Sequence, residues 1–392
     1  MKFIHTADWH LGKLVQGVYM TEDQRYALAQ LVHTVEEEKP DAVVVAGDLY
    51  DRAIPPTEAV ELLDELFERI VVGLNTPLLA VSGNHDSPDR LSFGTAIMES
   101  RGLHLVGQFR PSHKPVVLKD GNGEVHFHLV PFADPAQVRF AYGDEGIKSH
   151  DDAMKAIVDR IEATMEQTAR HVFVGHAFVT PGARPEDNTS TSERPLSIGG
   201  AEYVNAAHFE RFDYVALGHL HQAHHVGDEK IRYSGSPLKY SISEETHRKG
   251  YLIVELDESG SVSVDKREFK PLRDMRRVAA PIEEIERHAP SDDYVFVTLL
   301  NDNPVLFPME KVRAVYPNAL HVERRMASAG AGAARGDAED EGAGSPSRGD
   351  ADPVALFSAF YQEVKGIPLA EEKRALFADE FAKVLREEGG AV

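Results

Sequence analysis

Leu78 to Asp86 read LLAVSGNHD. Leu78, Leu79 and Val81 suit a short buried strand, and Gly83 permits a sharp backbone turn. Asn84, His85 and Asp86 then present an amide, an imidazole and a carboxylate where the strand's carboxyl end meets solvent. A polar turn after any ordinary strand would read the same way, so the stretch takes its meaning from companions elsewhere.

Upstream, residues 2 to 7, KFIHTA, form a first strand followed by Asp8, Trp9 and His10. Residues 42 to 46, AVVVA, are wholly apolar, the mark of a strand buried on both faces, and end in Gly47-Asp48. Between them Thr21 opens TEDQ, a capping-box pattern, ahead of a helix to about Glu38, and a second helix runs from about Thr57 to Val71. The order is βαβαβ with acids or imidazoles at each strand's carboxyl end, where α/β sheets carry ligand sites.

Downstream the pattern predicts strands near 103 to 107, 114 to 119 and 124 to 131, a helix near 150 to 169, and a strand at 171 to 175 ending in His176. Residues 177 to 205 are rich in Pro, Gly, Ser and Thr, and a loop of that length inside a domain is commonly functional. A strand at 213 to 217 leads to Gly218-His219-Leu220-His221, and β-like segments follow near 231 to 234, 250 to 256 and 261 to 268. The expected fold is α/β (α+β): two facing sheets flanked by helices over residues 1 to 270. Residues 272 to 326 read as a small α/β unit, with a strand at 294 to 300 and a helix at 308 to 315. Residues 327 to 352 collapse to Ala, Gly, Ser, Asp and Glu, a composition expected to form a disordered tether. Residues 353 to 388 then carry two amphipathic helices, one with Phe357, Phe360, Tyr361 and Val364 on a face and one with Phe377, Phe381, Val384 and Leu385. A helix pair this small builds little core alone, so a docking module for a partner is expected.

Composition narrows the chemistry. Among 392 residues there is no cysteine, so any metal must be held by oxygen and imidazole nitrogen. No apolar run of about 18 residues is present, and MKFIHTADWH lacks a basic segment leading into an apolar core, so a cytoplasmic protein with no membrane association is expected. A net charge of −22 argues against coating nucleic acid through bulk electrostatics. It leaves a nuclease open, because carboxylates that hold divalent cations count as negative although the loaded site is not.

Taken singly, Asp-x-His and Gly-Asp mean little. Here Asp8-x-His10, Gly47-Asp48, Gly83-Asn84-His85-Asp86, Gly175-His176 and Gly218-His219-x-His221 occur in sequence, each behind an apolar strand. Two divalent ions about 3.5 to 4 Å apart can clamp a phosphoryl group and activate a water, which requires a bridging carboxylate with terminal oxygen and imidazole ligands. His224 and His225 read as surface or strand residues, and His5, Trp9 and Arg90 as core or supporting residues.

This pattern resembles the calcineurin-like metallophosphoesterase superfamily. The resemblance implies that Asp8, His10, Asp48 and His221 hold one ion, and that Asp48, Asn84, His176 and His219 hold the other, with Asp48 as the bridge. It also implies that His85 stabilises the transition state or protonates the leaving group without binding metal, and that Asp86 orients it. The stretch GDLYDRA at 47 to 53 is similar to the GDxxDRG box of protein serine/threonine phosphatases. Ala53 replaces its last glycine, and Asp86 stands where those enzymes carry Glu.

Over nearly its whole length the chain resembles the SbcD family, the nuclease subunits of a bacterial DNA repair complex. The matching text includes HTADWHLGK at 5 to 13, VVVAGDLYDRAIPP at 43 to 56, DYVALGHLHQ at 213 to 222, YSGSPLKYS at 233 to 241 and DPVALFSAFYQEVKG at 352 to 366. The resemblance implies a manganese-dependent exonuclease on double-stranded DNA and endonuclease on single strands and hairpins. It also implies a capping domain at 272 to 326, docking of 353 to 388 on the coiled-coil ATPase SbcC, a homodimer of nuclease subunits, and a nucleoid-associated location. Asp51 departs from archaeal and eukaryotic relatives, which have histidine there, so that residue's role in positioning DNA does not transfer. A small-substrate phosphodiesterase or phosphatase is the alternative enzyme, and a scaffold without catalysis the alternative class.

Overall fold

The computed structural model describes residues 1–112, 114–182, 190–193, 202–324, 354, 357–358, 361–362, 365 and 367–388. The expected tether at 327–352 and most of the first C-terminal helix lie outside them. The chain divides into two units, Met1–Arg277 with Asp292–Phe296, and Val278–Ser291 with Val297–Val392.

The first unit contains two six-stranded sheets. In one, strands Lys2–Thr6, Ala42–Ala46, Leu78–Val81 and Leu103–Val106 run parallel, with Gly250–Leu256 and Val262–Glu268 added antiparallel beyond Lys2–Thr6. In the other the order is His224–Val226, Asp228–Tyr233, Tyr214–Gly218, Arg170–His176, Gly123–Val130 and Val116–Asp120, parallel except at its two edges. Strand side chains alternate faces, so one strand can serve two cores. Val172, Val174, Tyr214 and Ala216 join Phe3, Val44, Leu79 and Val81 between the sheets. Phe173, Val215 and Leu217 point the other way, onto Ile157, Val158 and Ile161 of helix His150–Glu162. Both faces are therefore covered, which is why these strands read as unbroken apolar runs. Phe3 locks the inner layer edge-on against Phe127 and Tyr214, at centroid distances of 5.4 and 5.6 Å.

Several expected elements shift. Helix Thr21–Glu38 forms, but its N-cap is Met20 with no side-chain cap, so the TEDQ pattern is not a capping box here. A complete box occurs instead at Ser149, which receives Asp152 N while Asp152 receives Ser149 N. The second helix ends at Phe67 and continues as a π-turn over Glu68–Gly73, and the 150–169 helix stops at Glu162. Helix Pro135–Tyr142 went unread, as did a parallel strand pair, Phe178–Thr180 with Tyr203–Asn205, inside the long polar stretch.

The second unit carries the later halves of strands Met275–Ala280 and Tyr294–Leu299 and the whole of Ala319–Arg324, which pair in that order as a three-stranded sheet, with short helices Ile282–Ile285 and Pro308–Arg313. It also carries helix Glu371–Glu388, where Phe377 stacks on Phe357 with centroids 3.9 Å apart and planes 5° from parallel. Among the described residues no helix is long and apolar enough to cross a membrane.

Candidate metal centre

The loops behind the parallel strands are stitched together before any side chain takes part. Asp8 N donates to Gly47 O at 3.0 Å, His10 N to Asp48 O at 2.9 Å and Leu11 N to Leu49 O at 2.9 Å. Four candidate residues adopt positive φ, Asp8 (54°), His10 (45°) and Asp48 (50°) in these two loops and His219 (112°) in a third. Side-chain-bearing residues occupy that region at a cost, and such strain concentrates at functional sites. The glycines are needed for space as much as for turning. A Cβ on Gly83, whose φ is not positive, would lie 2.1 Å from Asp48 Oδ1, and one on Gly47 (φ 92°) would lie 2.3 Å from His176 Nδ1.

Asp8, His10, Asp48, Asn84, His176, His219 and His221 gather at this point. Asp48 Oδ2 lies 3.5 Å from His10 Nε2 and 3.5 Å from His176 Nε2, while Asp48 Oδ1 accepts His85 N at 2.9 Å. His176 Nε2 lies 3.0 Å from Asn84 Oδ1, and His10 Nε2 lies 3.0 Å from His221 Nε2. The Asp8 carboxylate accepts His219 N at 2.9 and 3.1 Å, and the His219 ring stands 5.4 Å from that of His176. Ligand atoms of Asp8, His10 and His221 lie within 4.8 Å of one another, as do those of Asp8, Asp48 and His176.

The donor chemistry fits divalent cations. Burial lowers the pKa of His10, His176 and His219, which favours rings that keep a lone pair, and burial with Asp48's charge pushes Asp8 well above the usual carboxylate range. His176 Nδ1 donates to Ala46 O at 3.0 Å, which leaves only a lone pair at Nε2, facing two oxygens. His10 Nδ1 is buried without a hydrogen bond. Lone pairs turned toward one another in a dry site call for a positive charge among them.

His85 and Asp86 part company. His85 is half-buried and its Nδ1 donates to Asp51 O at 2.7 Å. The hydrogen bonds of Asp86 lie elsewhere. Its carboxylate accepts Leu49 N at 3.1 Å, Tyr50 N at 2.9 Å and Gly83 N at 2.9 Å, so it braces the Asp48 loop. In a tight turn consecutive side chains diverge, and here three backbone N–H groups of two loops take the carboxylate. Asp51 holds His85 through its carbonyl, while its side chain pairs with Lys13 at 2.8 Å.

Two supports escaped the sequence reading. Gln24 donates to Trp9 O at 3.0 Å and His10 O at 2.7 Å and accepts Gly12 N at 3.1 Å, which fixes the first loop and explains why TEDQ caps nothing. Glu244, fully buried, lies against His221, and although burial raises its pKa, Lys249 and His221 outweigh this and hold it well below the usual range. A glutamate after SIS in a polar segment gave no signal of burial.

The calcineurin-like phosphoesterase family model matches residues 1–223, and a model described as the type 5 capsule protein repressor C-terminal domain (SbcD_C) matches residues 271–365. Among solved structures the chain is similar to TT1561 of Thermus thermophilus, with 13% identity, 68% of this chain and 98% of that chain covered, and a TM-score of 0.38. It is similar also to a dimetal phosphatase from Danio rerio, with 12% identity, 68% and 96% covered, and a TM-score of 0.37. Values this low add nothing to the family match. The SbcD component of the SbcCD nuclease of Staphylococcus epidermidis, a curated protein, is 35% identical over 324 residues, covering 82% of this chain and 84% of its own length. The chain belongs to the SbcD family of calcineurin-like phosphoesterases.

Proposed function

We propose that the chain is a two-metal DNA nuclease that works with a coiled-coil ATPase of the SbcC type. The observation that supports this most is Asp48, whose Oδ2 stands 3.5 Å from the Nε2 atoms of both His10 and His176. Asp48 would then be shared between two ions, one held with Asp8, His10 and His221 and the other with Asn84, His176 and His219. When bound, two divalent ions supply Lewis-acid stabilisation of phosphoryl charge and activation of a water nucleophile. The chain's own groups do the rest. Ala46 O and the loop–loop hydrogen bonds hold the ligands in place before substrate arrives. His85 commits Nδ1–H to Asp51 O, which leaves Nε2 to exchange a proton with the leaving oxygen. Asp86 is assigned to the loop and not to His85.

The family resemblance and the named relative support the finer reading: manganese as the metal, double-strand exonuclease and single-strand or hairpin endonuclease activity, a homodimer, and a cytoplasmic, nucleoid-associated location. Residues 272–326 act as a capping domain that helps hold DNA, and residues 353–388 dock on the ATPase across the 327–352 tether.

The test is cleavage of hairpin-ended linear DNA with Mn²⁺ or Mg²⁺, by this chain alone and with the ATPase and ATP. Manganese-dependent cutting strengthened by the partner is expected. Efficient hydrolysis of a small phosphodiester with no DNA cleavage would favour the small-substrate alternative. Removing residues 353–392 should spare intrinsic cleavage and abolish capture of the ATPase, and retained capture would refute the docking assignment.

A further inference from the structure

Among the described residues, His221 is held at its backbone and at a ring nitrogen alike. Its backbone N donates to Glu193 Oε1 at 2.7 Å and its backbone O receives Lys249 Nζ at 2.8 Å. Its Nδ1 lies 3.1 Å from Glu244 Oε1 and 2.9 Å from Ser192 Oγ, and Ser192 Oγ itself donates to Glu244 Oε1. Glu244 Oε2 pairs with Lys249 Nζ at 2.5 Å and accepts Tyr240 N at 3.2 Å, and Lys249 Nζ also donates to Ser236 Oγ at 2.9 Å. Glu244 is 0% exposed and Lys249 8%. Apart from Ser192 and Glu193, these partners lie beyond residue 223, where the phosphoesterase match ends.

A carboxylate paired with a lysine can only accept, so the proton of a neutral His221 ring is drawn to Nδ1. Nε2 then carries a lone pair, directed at His10 Nε2 3.0 Å away. A buried ion pair is weak grounds for stability, because apolar residues of similar shape commonly replace one at no loss. Its placement on a single ring nitrogen points to a different use. We propose that Glu244, held by Lys249, is a positioning residue that fixes the tautomer of His221 and aims its Nε2 into the metal centre. This rests on reading His221 as a ligand.

The test combines Glu244→Gln with Lys249→Met in the full chain, which removes both charges at nearly constant shape, and reads Mn²⁺ binding by calorimetry after circular dichroism has verified the fold. Wild type should bind two ions, and the double variant should keep one at unchanged affinity and hold the other about 10- to 100-fold more weakly. Two ions at wild-type affinity in the variant would overturn the positioning role alone. A wild type that binds no Mn²⁺ would sink the ligand reading and the proposal with it. Should the variant fail to fold, ¹⁵N NMR of the metal-free wild type decides: the His221 resonance, assigned with His221→Gln, should report Nδ1–H, and Nε2–H would refute the proposal.

Discussion

The two sheets do not equip the centre alike. Loops at the ends of the first bring Asp8, Asp48 and Asn84, with His10 and His85, and are fastened by backbone hydrogen bonds and by Asp86 on three N–H groups. The second brings His176, His219 and His221, all imidazoles, and two of these are fastened at a ring nitrogen, by Ala46 O and by Glu244. The difference follows from the ligands. A carboxylate offers two equivalent oxygens and needs only to be put in place, whereas an imidazole must also be told which nitrogen keeps its proton. The oxygen ligands of the first side are built by position and the imidazoles of the second by position and tautomer; on the first side His85 is fixed at Nδ1 by Asp51 O, while His10 Nδ1 has no hydrogen bond.

Asp48 stands 3.5 Å from a ring nitrogen of each side, His10 on the first and His176 on the second, so its loss should be the most severe. Asp48→Asn puts an amide among the lone pairs of His10 and His176 at almost unchanged volume. We expect cleavage to fall by about 10³-fold or more, with Mn²⁺ stoichiometry falling alongside, since the stabilisation withdrawn amounts to several kcal/mol. Two ions still bound with activity above about a tenth would break the comparison at its centre. His85→Gln should cost about 10²- to 10⁴-fold in rate with both ions retained, because the loss is of proton transfer and not of coordination. Metal lost along with activity would show that His85 belongs to the ligand side.

Bracing residues should show up in stability before rate. Gly83→Ala drives a methyl into Asp48 Oδ1, and thermal unfolding should show a loss of about 1 to 3 kcal/mol with weakened metal binding. Asp86→Asn places an NH₂ where three N–H donors need acceptors, and denaturant titration should show a loss of about 1 to 3 kcal/mol. If Asp86→Asn instead leaves stability alone and shifts the pH dependence of cleavage, Asp86 acts on His85 after all.

How much of this was legible depends on periodicity. Strands buried on both faces announce themselves as AVVVA or YVALG, and acids and imidazoles near their carboxyl ends mark candidate residues, while the division of those residues between two metal positions rests on the family resemblance. Supports carry no such period. Gln24 reads as a capping residue because Thr21 lies three positions before it, and only the arrival of the Asp8–His10 loop gives its amide another use. Glu244 and Lys249 look like surface charges in a polar stretch, and only the fold buries them together. Sequence adjacency sets Asp86 beside His85, and in a turn adjacency is a poor guide to side-chain contact.

His5 crosses between the two sheets, and its effect should be the smallest and the most specific to pH. Leu217 O can only accept, so His5 Nε2–H donates to it at 3.1 Å and Nδ1 receives Tyr214 OH at 3.0 Å, both partners lying on the second sheet. Burial, partly offset by that carbonyl, lowers its pKa to about 3. An unfolded chain protonates this ring below its ordinary value near 6.5 while the folded chain does not, so the unfolded state binds more protons across the interval from about 6.5 to 3. Stability must therefore fall as pH drops through that window, by up to about 1.4 kcal/mol per pH unit from this residue, and be unaffected above it. His5→Gln keeps a donor for Leu217 O and removes the titration. Denaturant titrations at pH 7 should show a modest loss of about 1 kcal/mol, and between pH 6 and 4.5 the variant should lose stability less steeply than wild type. Parallel slopes would mean that the folded protein accepts the proton, and that the layer between the sheets is wetter than its packing implies.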